Sequence, residues 1–426
     1  MLNDAGPALA FSFAWLLPVT LLSVMLRERR VARLLPLSKH PLLLLILAAI
    51  AARLLPYLLL PVGAAYDIES FRLVGEALLA GEEVYTSAAR GRYPYLPLQM
   101  YAIGGAAVLG RETGIPFVLW VKLPAVLADI AVTVMIYKAL CRGGASVNAA
   151  VTAALLYALN PLTVMVSAYH GQFDAVPVLL LLAAWYLWEF GRRAGRSAAA
   201  LGAAILDKTW PAIFLPVIFI RLHSHRQRFM YTIVALSVPF ALTVAYVVAF
   251  DSDPTPMLRR AFTHAGVSGY WGISAALTLL SNLLSNDDPV ALSSVFGRGL
   301  LLATTLFSLW YTRRQSSLDA LLTILLSVFA VTLGMGIQWL MWPVAFAALA
   351  GEKWWLKWYS VTGALMMAMH LFTLHFPSGM AESMPPALLD VLLRSIGFPA
   401  WLVTLFWLYA RLQQAAREEQ RPAVVG

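Results

Sequence analysis

Charge is what this sequence has least of. Only 12% of its 426 residues are Asp, Glu, Lys or Arg, against about 25% in an ordinary soluble domain. A chain so poor in charge cannot dress itself in a hydrated surface, which excludes a conventional soluble enzyme. Cysteine is limited to Cys141, so no internal disulfide can form and no cysteine-based zinc site is available. There is no glycine-rich loop ending in Lys-Ser/Thr and no His-Glu-x-x-His, which removes the common signatures of nucleotide-phosphate and zinc-protease chemistry. The internal repeat that many transporters carry is missing. So is any Asn-x-Ser/Thr acceptor, which favours a bacterial plasma membrane over the endoplasmic reticulum.

In place of charge there is apolar sequence: 60% of residues are hydrophobic and the mean hydropathy is +0.74. Several nearly uncharged stretches run for about 20 residues, the length a helix needs to cross a hydrocarbon core. Runs such as Val178 to Ala184 do not alternate apolar with polar residues, so they read as helices and not as barrel strands. The net charge of +9 does not point to nucleic acid. Its Lys and Arg residues cluster at the ends of apolar runs, at Arg27/Arg29/Arg30/Arg33, Arg192/Arg193/Arg196, Arg221/Arg226/Arg228, Arg313/Arg314, Lys353/Lys357 and Arg411/Arg417/Arg421. That is the pattern of cytoplasmic anchors in a bilayer. The first apolar run ends at Arg27-Glu28-Arg29-Arg30 and not at a small-residue cleavage site, so it is expected to be a span and not a leader.

With every basic cluster inside, the expected fold is an all-α polytopic transmembrane bundle forming one integral membrane domain over 1–426. Spans are expected near 8–26, 41–61, 116–138, 146–165, 173–190, 229–249, 291–311, 317–336, 357–376 and 394–412. The stretch 197–221 is expected to break into two half-helices near Asp207-Lys208-Thr209-Trp210-Pro211, and a second break is expected over Gly334 to Pro343. The total is about eleven to thirteen membrane elements, with two long outer segments at 62–115 and 250–290.

The unusual polar groups collect on that outer side. In the first segment Phe71, Val74, Leu78 and Leu79 recur at helical spacing, which predicts an amphipathic interfacial helix. Asp67 opens it. A carboxylate there can serve as a general base beside a lipid-borne substrate, or simply cap the helix. Glu69 is a second candidate acid, although two positions on it would face away from Asp67 in a helix. The segment ends in Arg92-Tyr93-Pro94-Tyr95, with Tyr93 a candidate substrate contact. His170, Gln172 and Asp174 form a second cluster between two spans, where an ordinary turn needs none of them together. Lys208 stands in an otherwise apolar stretch, far from the nearest basic cluster. Arg259, Arg260 and His264 oppose the charge rule and could hold a phosphate, or rest against anionic headgroups. Gln338 sits in a Trp-rich break where an interfacial aromatic belt is the plain alternative. Lys122 and Asp129, seven apart on one helix face, suggest a buried supporting pair.

Taken in order, these clusters resemble the GT-C superfamily of membrane glycosyltransferases that use polyprenyl-phosphate sugars. The resemblance covers about residues 41 to 350 and is nearest to bacterial mannosyltransferases of that type, more distantly to dolichyl-phosphate-glucose glucosyltransferases. Departures are Tyr93-Pro94-Tyr95 where relatives often carry Tyr-Pro-Pro, the lack of a histidine in the Gln338 motif, and the additional span at 8–26. The resemblance implies a GT-C-like fold with Asp67 as the catalytic base. It also implies inverting transfer of a hexose, mannose foremost, to a glycan, glycolipid or protein acceptor in the cell envelope. It requires no cofactor or metal, although Asp67 and Glu69 are positioned in sequence to hold a divalent ion. The competing classes are a transporter or sugar-lipid flippase, which predicts paired halves and a mid-membrane path, and a lipid-linked polymerase or ligase, which shares the loop logic.

Overall fold

The computed structural model describes residues 5–34, 40–59, 63–264, 266–284, 290–375 and 385–420. In chain order its helices are α1 (Ala5–Met25), α2 (Glu28–Leu34), α3 (Pro41–Leu54), α4 (Ala65–Leu79), α5 (Leu98–Thr113), α6 (Phe117–Arg142), α7 (Val147–Ala158), α8 (Pro161–Val164), α9 (Ala175–Glu189), α10 (Ala194–Asp207), α11 (Phe214–Phe219), α12 (His225–Ala249) and α13 (Pro254–Thr263). There follow β1 (Val267–Ser268), α14 (Gly272–Leu284), α15 (Val290–Tyr311), α16 (Ser317–Val331), β2 (Gly334–Met335), α17 (Trp342–Leu349), α18 (Lys353–His375), α19 (Pro386–Ser395) and α20 (Phe398–Gln420). Starts follow side-chain chemistry. Ser146, Asn160, Ser224, Asp253 and Ser316 each accept an N–H from the first turn of the helix they precede, a contact worth about 1 kcal/mol apiece.

The protein is a polytopic helical bundle. Among the described residues four helices are long and apolar enough to cross a membrane: Pro41–Leu58, Phe117–Arg142, His225–Ala249 and Leu388–Arg417. A fifth crossing exists if Val147–Ala158 and Pro161–His170, bent by 45°, count as one. The expected spans near 8–26, 291–311 and 357–376 coincide with α1, α15 and α18, of 21, 22 and 23 residues, whereas some others are built from shorter helices. Ala175–Glu189 has 15 residues, about 22 Å of helix against a core of about 30 Å. The span expected over 146–165 runs through Pro161. The structure breaks it there, because proline has no backbone N–H to donate to the preceding turn. The expected break at 207–211 is present: α10 ends at Asp207, Lys208 is extended, and a 3₁₀ turn opens with Pro211 in its first turn.

Internal contacts separate two compact units, Ala14–His264 and Met1–Phe13 with Ala265–Gly426. In the first, α10 packs on α9 and α12, and α6 is surrounded by α3, α5, α7 and α9. The α10–α12 approach is close because Gly202 has no side chain; a Cβ there would lie 2.4 Å from the Ala235 carbonyl. The expected amphipathic helix is α4. It buries Phe71 and Val74 in a core shared with Val84, Tyr85, Met100, Ile103, Phe173, Leu206, Tyr246 and Met257, while Leu79 remains exposed. Full burial of an apolar side chain of this size contributes about 1.5–3 kcal/mol. That core anchors the 80–97 loop over the helix ends.

In the second unit, β1 and β2 pair antiparallel, Val267 with Met335 and Ser268 with Gly334. The Trp271 and Trp401 indoles donate to the Phe329 and Ala330 carbonyls at 2.7 and 2.9 Å, tying α14 and α20 to the end of α16. Arg411, nearly buried, joins α16, α18 and α20 by bonding Asp319 at 2.8 Å, Glu352 at 2.5 Å and Thr323 at 2.9 Å.

Candidate functional site

The polar groups of the first unit converge where α4, the turn after α8, and the ends of α10 and α13 come together. Helix α4 is capped by Ala64, so Asp67 is its third residue and the helix-cap alternative falls. The Ala64 N–H donates to the His170 carbonyl at 3.0 Å, which docks the start of α4 onto the His170 motif. Asp67 Oδ2 then lies 3.7 Å from His170 Nδ1, the carboxylate 27% exposed and the imidazole 4%. That distance is electrostatic contact and not a hydrogen bond. His170 Nδ1 is buried without a hydrogen-bond partner.

His170 ends a π-helical turn, Met165–His170, and Gly171 reverses the chain with φ +88°. Any other residue would be strained there. Its Cβ would also fall 2.8 Å from Ile68 Cδ1 and 3.3 Å from Lys122 Cε. Glycine is therefore what lets α4 sit against this motif. Glu69 turns to the opposite face of α4, about 44% exposed and paired with Arg72 at 2.6 Å. That guanidinium holds the Glu69 carboxyl below the usual range. Glu69 thus faces away from Asp67, as their spacing predicts, because two residues on a helix are about 200° apart.

Lys208 and Asp174, both named as substrate contacts from sequence, are paired with each other at 2.7 Å and buried. The Tyr95 and Phe173 rings lie 4.7 and 4.5 Å from the Lys208 ammonium. The lysine is thus committed to a carboxylate and two aromatic faces and is not a free phosphate ligand. Gln172 is buried beside them, and its Oε1 has no hydrogen-bond partner. Burial, followed by the charges of Asp174, Asp67 and Asp207, holds the Tyr95 hydroxyl well above its usual pKa, so it stays protonated. Tyr93, the residue chosen from sequence, is instead core: 1% exposed, its hydroxyl donating to the Leu96 carbonyl at 3.2 Å. Gln99, which sequence reasoning did not single out, donates to Asp207 Oδ1 at 2.5 Å, and Asp207 Oδ2 is buried without a partner.

Helix α13 presents Arg259 and Arg260 on its exposed side. Arg260 reaches the Gly91 carbonyl and so ties α13 to the 80–97 loop. His264 follows the helix, exposed at its edge yet crowded by protein. Partial desolvation, Lys208 and Arg260 hold its imidazole below the usual pKa, and Asp67 opposes them. These interactions place Asp67, Lys208 and Arg260 within electrostatic reach of His264. Gln338 belongs to the other unit, half-buried beside Gly336.

The expected Lys122–Asp129 pair is absent, although both residues are buried. Lys122 donates to the Ala168 carbonyl at 3.1 Å. Asp129 pairs at 3.1 Å with Arg53, which lies within the expected 41–61 span and which the sequence did not single out. Among the described residues no three His, Cys, Asp or Glu side chains gather into a metal-holding group.

The arrangement provides one partly open carboxylate over a buried imidazole, a neutralised ion pair beneath it, and a cationic rim from α13. Three buried polar atoms here lack partners, a condition that costs about 1–3 kcal/mol each where it persists. No protein-family model matches the chain.

Proposed function

We propose that this protein is a multi-pass membrane glycosyltransferase. It transfers a hexose, mannose foremost, from a polyprenyl phosphate to an acceptor hydroxyl at the outer membrane–water interface, in a bacterial plasma membrane. The observation that carries the reading is the half-open Asp67 carboxylate 3.7 Å from His170 and within electrostatic reach of His264, which Arg260 and Lys208 also reach.

In this reading Asp67 accepts the acceptor's proton as the acceptor oxygen attacks the anomeric carbon. The bond from that carbon to the phosphate oxygen breaks, inverting the sugar centre, and the electron pair leaves on polyprenyl phosphate. A carboxylate is a feeble base, so proton transfer comes late in the reaction. The leaving phosphate is held by Arg259 and Arg260, with His264 at the rim. Lys208 acts through Asp174 and the Tyr95 ring, as a positioning residue, and His170 fixes the entry of α4 through its carbonyl. Glu69 takes no part, being engaged by Arg72.

The test is a screen of synthetic lipid-phosphate hexoses against candidate glycan, glycolipid and peptide acceptors with the purified full chain. Acceptor-dependent release of free polyprenyl phosphate, with inverted configuration in the product, is the expected result. Movement of intact sugar-lipid between leaflets without such release would identify a flippase instead.

A further inference from the structure

A second polar–apolar feature lies in the other unit, between the start of α18 and the end of α20, which pack against each other. The buried Tyr359 and Trp407 rings, 5.9 Å apart, hold the two helices together. Beside them runs a groove of about 1030 Å³ lined by Trp354, Trp355 and Trp358 on one side and by Phe406, Tyr409, Ala410, Gln413, Gln414 and Arg417 on the other. Trp354 and Trp358, one helical turn apart, meet edge to face at 5.8 Å.

Chemistry changes in one direction along the α20 wall. Phe406 and Tyr409 come first, then Gln413 and Gln414, then Arg417 at the end of the apolar stretch Leu388–Arg417. Eleven residues of helix rise about 16 Å, so the groove passes from hydrocarbon character to charge over the depth of one lipid's interfacial region. Trp and Tyr prefer that depth, with apolar rings and polar N–H and O–H tips. Arg417 is exposed and makes no ion pair among the described residues. Asp319, on α16, and Glu352, just before α18, are both taken up by Arg411. Lys353 opens α18 at the same end. The polar end of the groove therefore presents the exposed Arg417 guanidinium.

We propose that this groove binds one anionic phospholipid, its phosphate against Arg417 and its acyl chain along Phe406, Trp354 and Trp358. A guanidinium suits a phosphate through paired N–H donors, and the ordered apolar gradient suits an amphiphile over a free anion. The proposal is independent of the transferase reading, because its readout is lipid retention and not turnover.

The test uses the full chain in detergent, stripped of lipid and titrated with phosphatidylglycerol or with phosphatidylcholine of the same acyl chains, bound lipid being counted by native mass spectrometry. One anionic lipid per chain is expected, held about fivefold more tightly than the zwitterionic one. Arg417→Ala should bring the two to parity, Arg417→Lys should keep most of the preference, and Trp358→Ala should weaken both lipids. Arg226→Ala, outside the groove, should change nothing. Equal retention of the two lipids by the wild type overturns the proposal, as does a preference that survives both Arg417→Ala and Arg417→Gln. Displacement of the lipid by inorganic phosphate alone also overturns it, by reducing the site to a plain anion site.

Discussion

Arg53 and Asp129 meet inside the Ala14–His264 unit surrounded by partners. Arg53 bonds Asp129 at 3.1 Å, the Ala49 and Ala158 carbonyls at 3.1 and 2.8 Å, and Thr163 at 3.0 Å. Asp129 in turn accepts from Tyr157 and from Ser167, each at 2.5 Å. Three residues beyond Ser167 stands His170, whose Nδ1 is buried without a partner and faces a half-open carboxylate. The first cluster is saturated with hydrogen bonds and the second is not. A saturated buried pair stabilises only by staying whole, since removing one member strands the other. An under-satisfied cluster has donors and acceptors to spare for something outside the chain. The two are joined through the π-helical turn Met165–His170, which the saturated pair grips at Ser167 and which delivers His170 to Asp67.

This contrast sets the order of expected effects. Asp129→Ala strands the Arg53 charge and should destabilise the fold by about 3–5 kcal/mol, read by denaturant unfolding in detergent. An unchanged midpoint would show that Arg53 finds water there. Gly171→Ala forces a side chain into the left-handed region against Ile68, and should cost about 1–3 kcal/mol together with turnover. Retained turnover would mean that α4 can shift without consequence.

Arg260→Ala should raise the KM for the lipid-phosphate donor by about tenfold, with a smaller change in kcat. An unchanged donor KM would remove Arg260 from the phosphate site and leave it only its bond to Gly91. The smallest effect is that of pH on His264, whose imidazole is held below its usual value in the fold. As pH falls below the ordinary histidine range the unfolded chain takes up the proton first, so the native state loses a little stability. His264→Gln should flatten that part of the stability–pH curve, and an identical curve would discount the residue.

Much of the frame was legible before the structure. Long uncharged runs fixed the helices, and Pro211 with Asp207 marked a break that charge placement had already required. The Phe71 and Val74 spacing marked the buried face of α4. Partnerships were not legible. Arg53 lies 76 residues from Asp129 and Lys208 lies 34 from Asp174. Helical periodicity orders residues around one axis but does not say how a neighbouring helix is rotated. Lys122 and Asp129 share a face by spacing, yet different neighbours claimed each of them. Tyr93 and Tyr95 were indistinguishable in sequence because only packing decides which ring turns to the ion pair and which to the core. Asp67 as cap or as base depended on a helix start two residues earlier than the acid, a difference finer than local sequence resolves.

The central claim is that Asp67 does chemistry while the saturated pair only supports it. Asp67→Asn tests this directly, by comparing unfolding and sugar transfer in the same purified preparation. Stability should stay within about 0.5 kcal/mol of wild type while turnover falls about 10²- to 10⁴-fold. Near-wild-type turnover, or a loss of activity that merely tracks a loss of folded protein, would contradict it.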